Sequence, residues 1–262
     1  MMMKFLKSKN VSLSIFAFVI LFSGTYFFFA CSKSTTDTTT TTTTTTTITT
    51  LPDIYKRIYG AKSVTLDGAF VVINTTDLPD HKSPYYSDST KYEAYNGSNS
   101  KFNLNPNRIT SQNITFRIPV SPKEATTKTA TPGGAIGVSL NGVVVFNQYA
   151  AMQAALTNEV NSFDQYGGHP QQSGVYHYHV EPTYTTTKFG KSVLLGFLLD
   201  GFPIYGPLEN GKTLMSADLD KYHGHAHATT EYPDGIYHYH FTSDTPYLNG
   251  DGFFGIAGTV SQ

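Results

Sequence analysis

Apolar residues in this chain come in short runs between turn signals, not in long helical stripes. Runs rich in β-branched and aromatic residues fall at 69–73, 114–120, 136–140, 143–146, 175–180, 193–199 and 236–241, and each predicts a strand. Asn141-Gly142, set between two such runs, predicts a hairpin with a type I′ turn. Only 149–160 reads as helical, being rich in Ala with apolar residues at Met152, Ala155, Leu156 and Val160. Pro and Gly together number 35 and punctuate the rest. The pattern predicts a mainly β fold: a single sandwich-like domain with one or two short helices.

The first fifty residues break this pattern. Lys4, Lys7 and Lys9 precede an apolar run over 11–30, the layout of a secretory signal. The run ends on Ala30 and the only cysteine, Cys31. That ending resembles a bacterial lipobox, with Phe28 where Leu is usual, and implies cleavage before Cys31 and lipid attachment to it. The alternative is an uncleaved signal-anchor helix, since twenty apolar residues suffice to span a bilayer. Both readings place the remainder outside the cytoplasm, held at the cell envelope or cell surface by a membrane anchor. Residues 35–50 contain 14 Thr in 16 positions, which builds no core and reads as an extended tether. The predicted plan is a lipoprotein-type signal over 1–30, a tether over 31–50 and one folded domain over 51–262.

Charge and composition narrow the chemistry. The chain has 18 Lys and Arg against 19 Asp and Glu, so it lacks the basic footprint of a nucleic-acid binder. One Cys forms no internal disulfide and supplies no thiolate cluster. Nine His are the excess, so metal chemistry here must use imidazole and oxygen ligands. Nothing points to a nucleotide or flavin cofactor.

The His are concentrated in an internal echo. Residues 163–179 read FDQYGGHPQQSGVYHYH, and 219–240 read LDKYHGHAHATTEYPDGIYHYH. Asp164 matches Asp220, Tyr166 matches Tyr222, His169 matches His225, and Gly174 matches Gly235. His177 and His179 then match His238 and His240. On a strand a Tyr-His-Tyr-His run has period two, placing both His on one side and both Tyr on the other. The expectation is a metal site built from His169, His177, His179, His225, His238 and His240. It takes either three nitrogens per copy or four from two paired strands. Tyr176, Tyr178, Tyr237 and Tyr239 are expected in the core, with their hydroxyls finding partners. The bland alternatives are a half-solvated polar strand face, or a buried His/Tyr/Asp network without metal. His223 and His227 have no counterpart in the first copy and are expected to be exposed or secondary ligands. His81 reads as a loop histidine on spacing alone. Asp200 caps a turn before Gly201 or orients an imidazole.

These motifs resemble the bacterial YHYH-domain family. Both tetrads match, as do GGHP, DGFPIYGP and YPDG around them. Upstream, LPDHK, NPNRITSQNITFRIPVSP and GGAIGVSLNGV also resemble its pattern, so the likeness runs from about residue 60 to 258. It implies an exported, often lipid-anchored protein, and it adds His81 to the secondary site candidates beside His223, His227 and Asp200. Members often carry Cys where this chain has Tyr166, Tyr222 and Gly252, so no disulfide or thiol ligand is carried over.

Three functions compete on these grounds. The first is a membrane-tethered extracytoplasmic protein binding a divalent transition metal, copper or zinc. The second is a metal-dependent extracellular enzyme on an unspecified substrate, with Asp200 or Asp164 as base or orienter. The third is a non-enzymatic surface module for a glycan or protein partner, using exposed aromatics.

Overall fold

β-branched alternation and fully apolar runs lead to two different kinds of sheet. The computed structural model describes residues 48–262, so the signal, Cys31 and nearly all of the tether lie outside the described residues. In chain order the first strands are β1 (Ala61–Asp67), β2 (Phe70–Thr75), β3 (Ile114–Pro119), β4 (Glu124–Thr129), β5 (Ala135–Ser139) and β6 (Val144–Phe146). A minimal hairpin, β7 (Tyr149–Ala150) with β8 (Ala154–Ala155), precedes β9 (Gly168–Pro170), β10 (Tyr176–Tyr178) and the helix α1 (Thr183–Phe189). Then come β11 (Leu194–Leu198), β12 (Pro203–Tyr205), a second minimal hairpin β13 (Leu208–Glu209) with β14 (Lys212–Thr213), β15 (Gly224–His227) and β16 (Ile236–His240). The last strands are β17 (Phe253–Gly255), paired with β4, and β18 (Thr259–Ser261).

One sheet has the order β1-β2-β3-β18, and the other β15-β16-β12-β11-β5-β6-β10-β9. In β2 and β3 burial alternates residue by residue, so Val71, Ile73, Ile114, Phe116 and Ile118 point inward. In β5, β6, β11 and β12 every residue is buried, the mark of strands covered on both faces. The inward residues of the small sheet share one core with Ile136, Val138, Leu195 and Phe197 of the large one, giving the expected sandwich-like, mainly β fold.

The large sheet is itself duplicated. Its halves, β5-β6-β10-β9 and β11-β12-β16-β15, have the same internal order and meet at the antiparallel β5–β11 pair. The register there is Gly137 with Leu198, Val138 with Phe197 and Ser139 with Gly196, which is symmetric about the Val138/Phe197 pair. The echo thus extends upstream of the histidines, to GVSLNG at 137–142 against GFLLDG at 196–201. The two glycines permit the close approach. A Cβ on Gly137 would lie 2.5 Å from the Phe197 carbonyl oxygen, and one on Gly196 2.3 Å from that of Val138.

The helix expected over 149–160 does not form. The segment is β7, a 3-10 turn over Ala151–Gln153, β8, and a second 3-10 turn over Glu159–Ser162. Its periodic residues have nothing to pack against: Met152 is 98% exposed and Ala155 is exposed, and only Leu156 is buried. A helix this short depends on a buried face for its stability. The α-helix present, α1, is TYTTTKF, poor in helix formers. It holds because Thr185 and Thr186 are buried and Thr186 donates its hydroxyl to Glu181 at 2.6 Å.

Candidate metal centres

Both tetrads lie on strands, so period two sends His177 and His179 to one face of β10 and Tyr176 and Tyr178 to the other. β16 does the same with His238, His240, Tyr237 and Tyr239. The third histidine of each copy arrives as a cross-strand partner: His169 on β9 faces His177, and His225 on β15 faces His238. β10 and β16 are five strand intervals apart in the sheet order, about 24 Å at the usual strand spacing. The tetrads therefore form two centres, three imidazoles each, and not one shared cluster.

A carboxylate completes each. Glu159 joins His169, His177 and His179, and Glu209 joins His225, His238 and His240, with the ligand atoms of each set within 4.8 Å of one another. In the first centre the Nε2 atoms of His177 and His179 are 3.1 Å apart, and His169 Nε2 is 3.1 Å from Glu159 Oε1. In the second, His225 Nε2 and His240 Nε2 are 3.2 Å apart, and Glu209 Oε1 is 3.2 Å from His225, 3.5 Å from His240 and 3.7 Å from His238. Donors bound at zinc-like lengths around one ion lie about 3.3 Å from one another. The spacing matches.

Hydrogen bonds at the far side of the rings set the tautomers. His177 and His238 give Nδ1–H to the carbonyls of Val175 and Ile236, the residue two before each, at 3.2 and 2.9 Å. His179 and His240 give theirs to Asn147 and Gly206, which are equivalent positions in the two halves, at 2.6 and 2.7 Å. Ser162 Oγ, which donates to the Glu159 carbonyl, lies 2.7 Å from His169 Nδ1 and holds that ring in place. The four rings bonded to backbone carbonyls are each left with an Nε2 lone pair aimed into a centre. The lone pairs of His177 and His179, facing at 3.1 Å, repel unless a cation lies between them. The Nε2 atoms of His169 and His238 are buried without a hydrogen-bond partner, and a cation at the centre of each set could satisfy them.

Burial keeps four of the six imidazoles neutral. It pushes His177 well down, and takes His179, His238 and His240 to about 4, with neighbouring histidines adding to the shift and backbone carbonyls opposing it. Burial works to raise both carboxyls, but adjacent histidines outweigh it and hold Glu159 and Glu209 below the usual range. Deprotonated imidazole beside carboxylate is the state in which metal ligands bind.

The tyrosine face is a hydrogen-bonded core. Tyr176 donates to Asp164 and Tyr237 to Asp220, at 2.9 and 3.0 Å, while each aspartate also takes two backbone N–H groups of its own turn. Asp164 therefore stands on the face opposite the first centre. Asp200 is fully buried there too, accepting from Tyr239 at 2.6 Å and from the N–H groups of Gly255 and Phe202. It caps its turn and touches no imidazole. His81 is buried against Tyr178, 3.2 Å from its hydroxyl, and lies outside both centres. His223, expected to be exposed or a secondary ligand, is buried beside Thr242 because it occupies the place that Gly167 has in the first half. His227 is the one secondary candidate at a centre, with Nε2 2.7 Å from Glu209 and 3.2 Å from His225.

Asp200 makes stability pH-dependent in a readable way. Burial pushes its carboxyl up to about 6, against the hydrogen bonds that lower it. An unfolded aspartate titrates near ~3.9, so the folded chain holds this proton more tightly. Its contribution to stability falls as pH rises from about 4 to about 6, by on the order of 3 kcal/mol, and is level above that. Asp200→Asn, with the amide found at the equivalent Asn141, should lose this slope. Urea unfolding of both chains from about pH 4 to 7 checks it, and a pH-independent difference between them would count against it.

A family model described as YHYH protein matches residues 115–214 and 209–251, together just over half of the chain and including both centres. No curated protein and no solved structure gives a match.

Proposed function

We propose that this chain, which belongs to the YHYH protein family, holds two transition-metal ions at the cell envelope, one in each half of its duplicated sheet. The observation that carries the reading is the convergence of three imidazole Nε2 atoms and a carboxylate in each half, with two of the three rings in each half held by backbone acceptors. A solvated strand face would leave these histidines exposed, whereas five of the six ligand histidines are buried. Imidazole and carboxylate donors suit Zn(II) or Cu(II), with copper the tighter on general affinity order. The role is metal capture or transfer outside the cytoplasm. The basic start, the apolar run ending at Cys31 and the threonine tract support lipid anchoring and a tethered domain.

Full-length protein extracted from membranes, stripped with a chelator and reloaded with Zn(II) or Cu(II), should hold two ions per chain by elemental analysis. No stoichiometric metal at neutral pH would end the metal reading. In the same preparation wild type should partition into detergent and Cys31→Ser into the aqueous phase; identical partitioning would end the lipid reading.

A further inference from the structure

The two halves follow a common plan up to a point where they diverge. Each inner hairpin is followed by a miniature one, β7–β8 in the first half and β13–β14 in the second. The second turns at Asn210-Gly211, with φ of +50° and +80°, residues that accept left-handed backbone readily. The first turns at Met152 and Gln153, both with φ of +60°, which do not. Met152 is also 98% exposed, so a large apolar side chain is offered to water on a strained turn. It borders a cavity of about 360 Å³ onto which His177, His179 and Glu159 open. Strain of this kind persists where a site uses it.

The walls diverge in the same sense. Phe146 stacks on the His177 ring with centroids 3.9 Å apart. Its equivalent in the second half is Tyr205, whose hydroxyl bonds Glu231 and Thr229. The first approach is therefore apolar with a thioether at its rim. The second is polar, with a further imidazole, His227, and with Glu231, a carboxylate paired to Arg57.

Building on the metal reading above, we propose that the first centre is a cuprous site and that Met152 supplies its thioether donor. Thioethers select Cu(I) among the common ions. A single positive charge beside Glu159 is neutral overall, which suits an apolar wall, whereas a divalent ion would leave net charge there. The second centre, with the added imidazole of His227 and no thioether, keeps the preference for a divalent ion, although both centres accept Zn(II).

The test uses the full chain and Met152→Leu, which keeps size and apolarity and removes sulfur. Under anaerobic reducing conditions, competition against a chromophoric Cu(I) chelator should show the variant weakened at one site. The loss should at least equal that for an outer-shell partner, about tenfold or more, with Zn(II) affinity unchanged. Copper X-ray absorption should show a sulfur neighbour in wild type and none in the variant. Equal Cu(I) affinities, or equal losses for Cu(I) and Zn(II), would overturn the assignment while leaving two metal centres in place. A wild-type chain that binds neither ion would remove the underlying reading instead.

Discussion

Zinc added to the stripped chain is expected to raise its unfolding temperature in two additive increments, and His177→Ala and His238→Ala are each expected to abolish one. An ion that binds only the folded state stabilises it by about 2.7 kcal/mol when free metal is a hundred times Kd. For a domain of this size that is about 5–10 °C per centre. The centres share no ligand and lie five strand intervals apart, so their increments should add. Alanine at buried His177 also leaves a cavity, which lowers the metal-free baseline. The reading is therefore the increment on reloading, not the absolute temperature. If either variant removes both increments, or neither, the two-centre geometry is wrong.

Gly196→Ala is expected to destabilise the fold severely. The added Cβ would fall 2.3 Å from the Val138 carbonyl oxygen and 2.8 Å from Ser139 Cα, both backbone atoms at the middle of the eight-stranded sheet. Neither atom can step aside without opening the β5–β11 ladder that joins the halves. A loss of about 4 kcal/mol or more is expected, against a total stability of about 5–15 kcal/mol. Gly133→Ala is the control, since a Cβ there meets nothing within 4 Å. Urea midpoints near wild type for both variants would show that the central pair tolerates more than its geometry allows.

What could be read from the sequence was whatever depends on local period. The strands β2, β3, β5, β6 and β11 stand where β-branched runs predicted them. The tetrads sort His from Tyr because period two does so on any strand. β1 went unread because AKSVTLD is too polar to stand out, and its pairing with β2 supplies what its composition lacks. Residues 149–160 misled because alanine's intrinsic preference is too weak to hold so short a helix without a buried face, and most of this segment is exposed. The carboxylates were the larger miss. Glu159 and Glu209 sit at unmatched positions of the two copies, so the repeat alignment passed over them. Each lies in the connection between an inner hairpin and its His hairpin, and an acid in both connections was the available signal. Whether six histidines form one centre or two depends on strand order, which no local pattern encodes.

The symmetric register about Val138 and Phe197 gives the chain an internal twofold axis. A closed twofold interface between identical chains presents the same strand from both partners. Joining two such partners end to end leaves a single chain with this internal axis. In a homodimer every substitution is made twice, so both seats stay alike. In a single chain with such an axis, Phe146 and Tyr205, or Met152 and Asn210, can differ. One polypeptide can then keep two different occupants on a single plan.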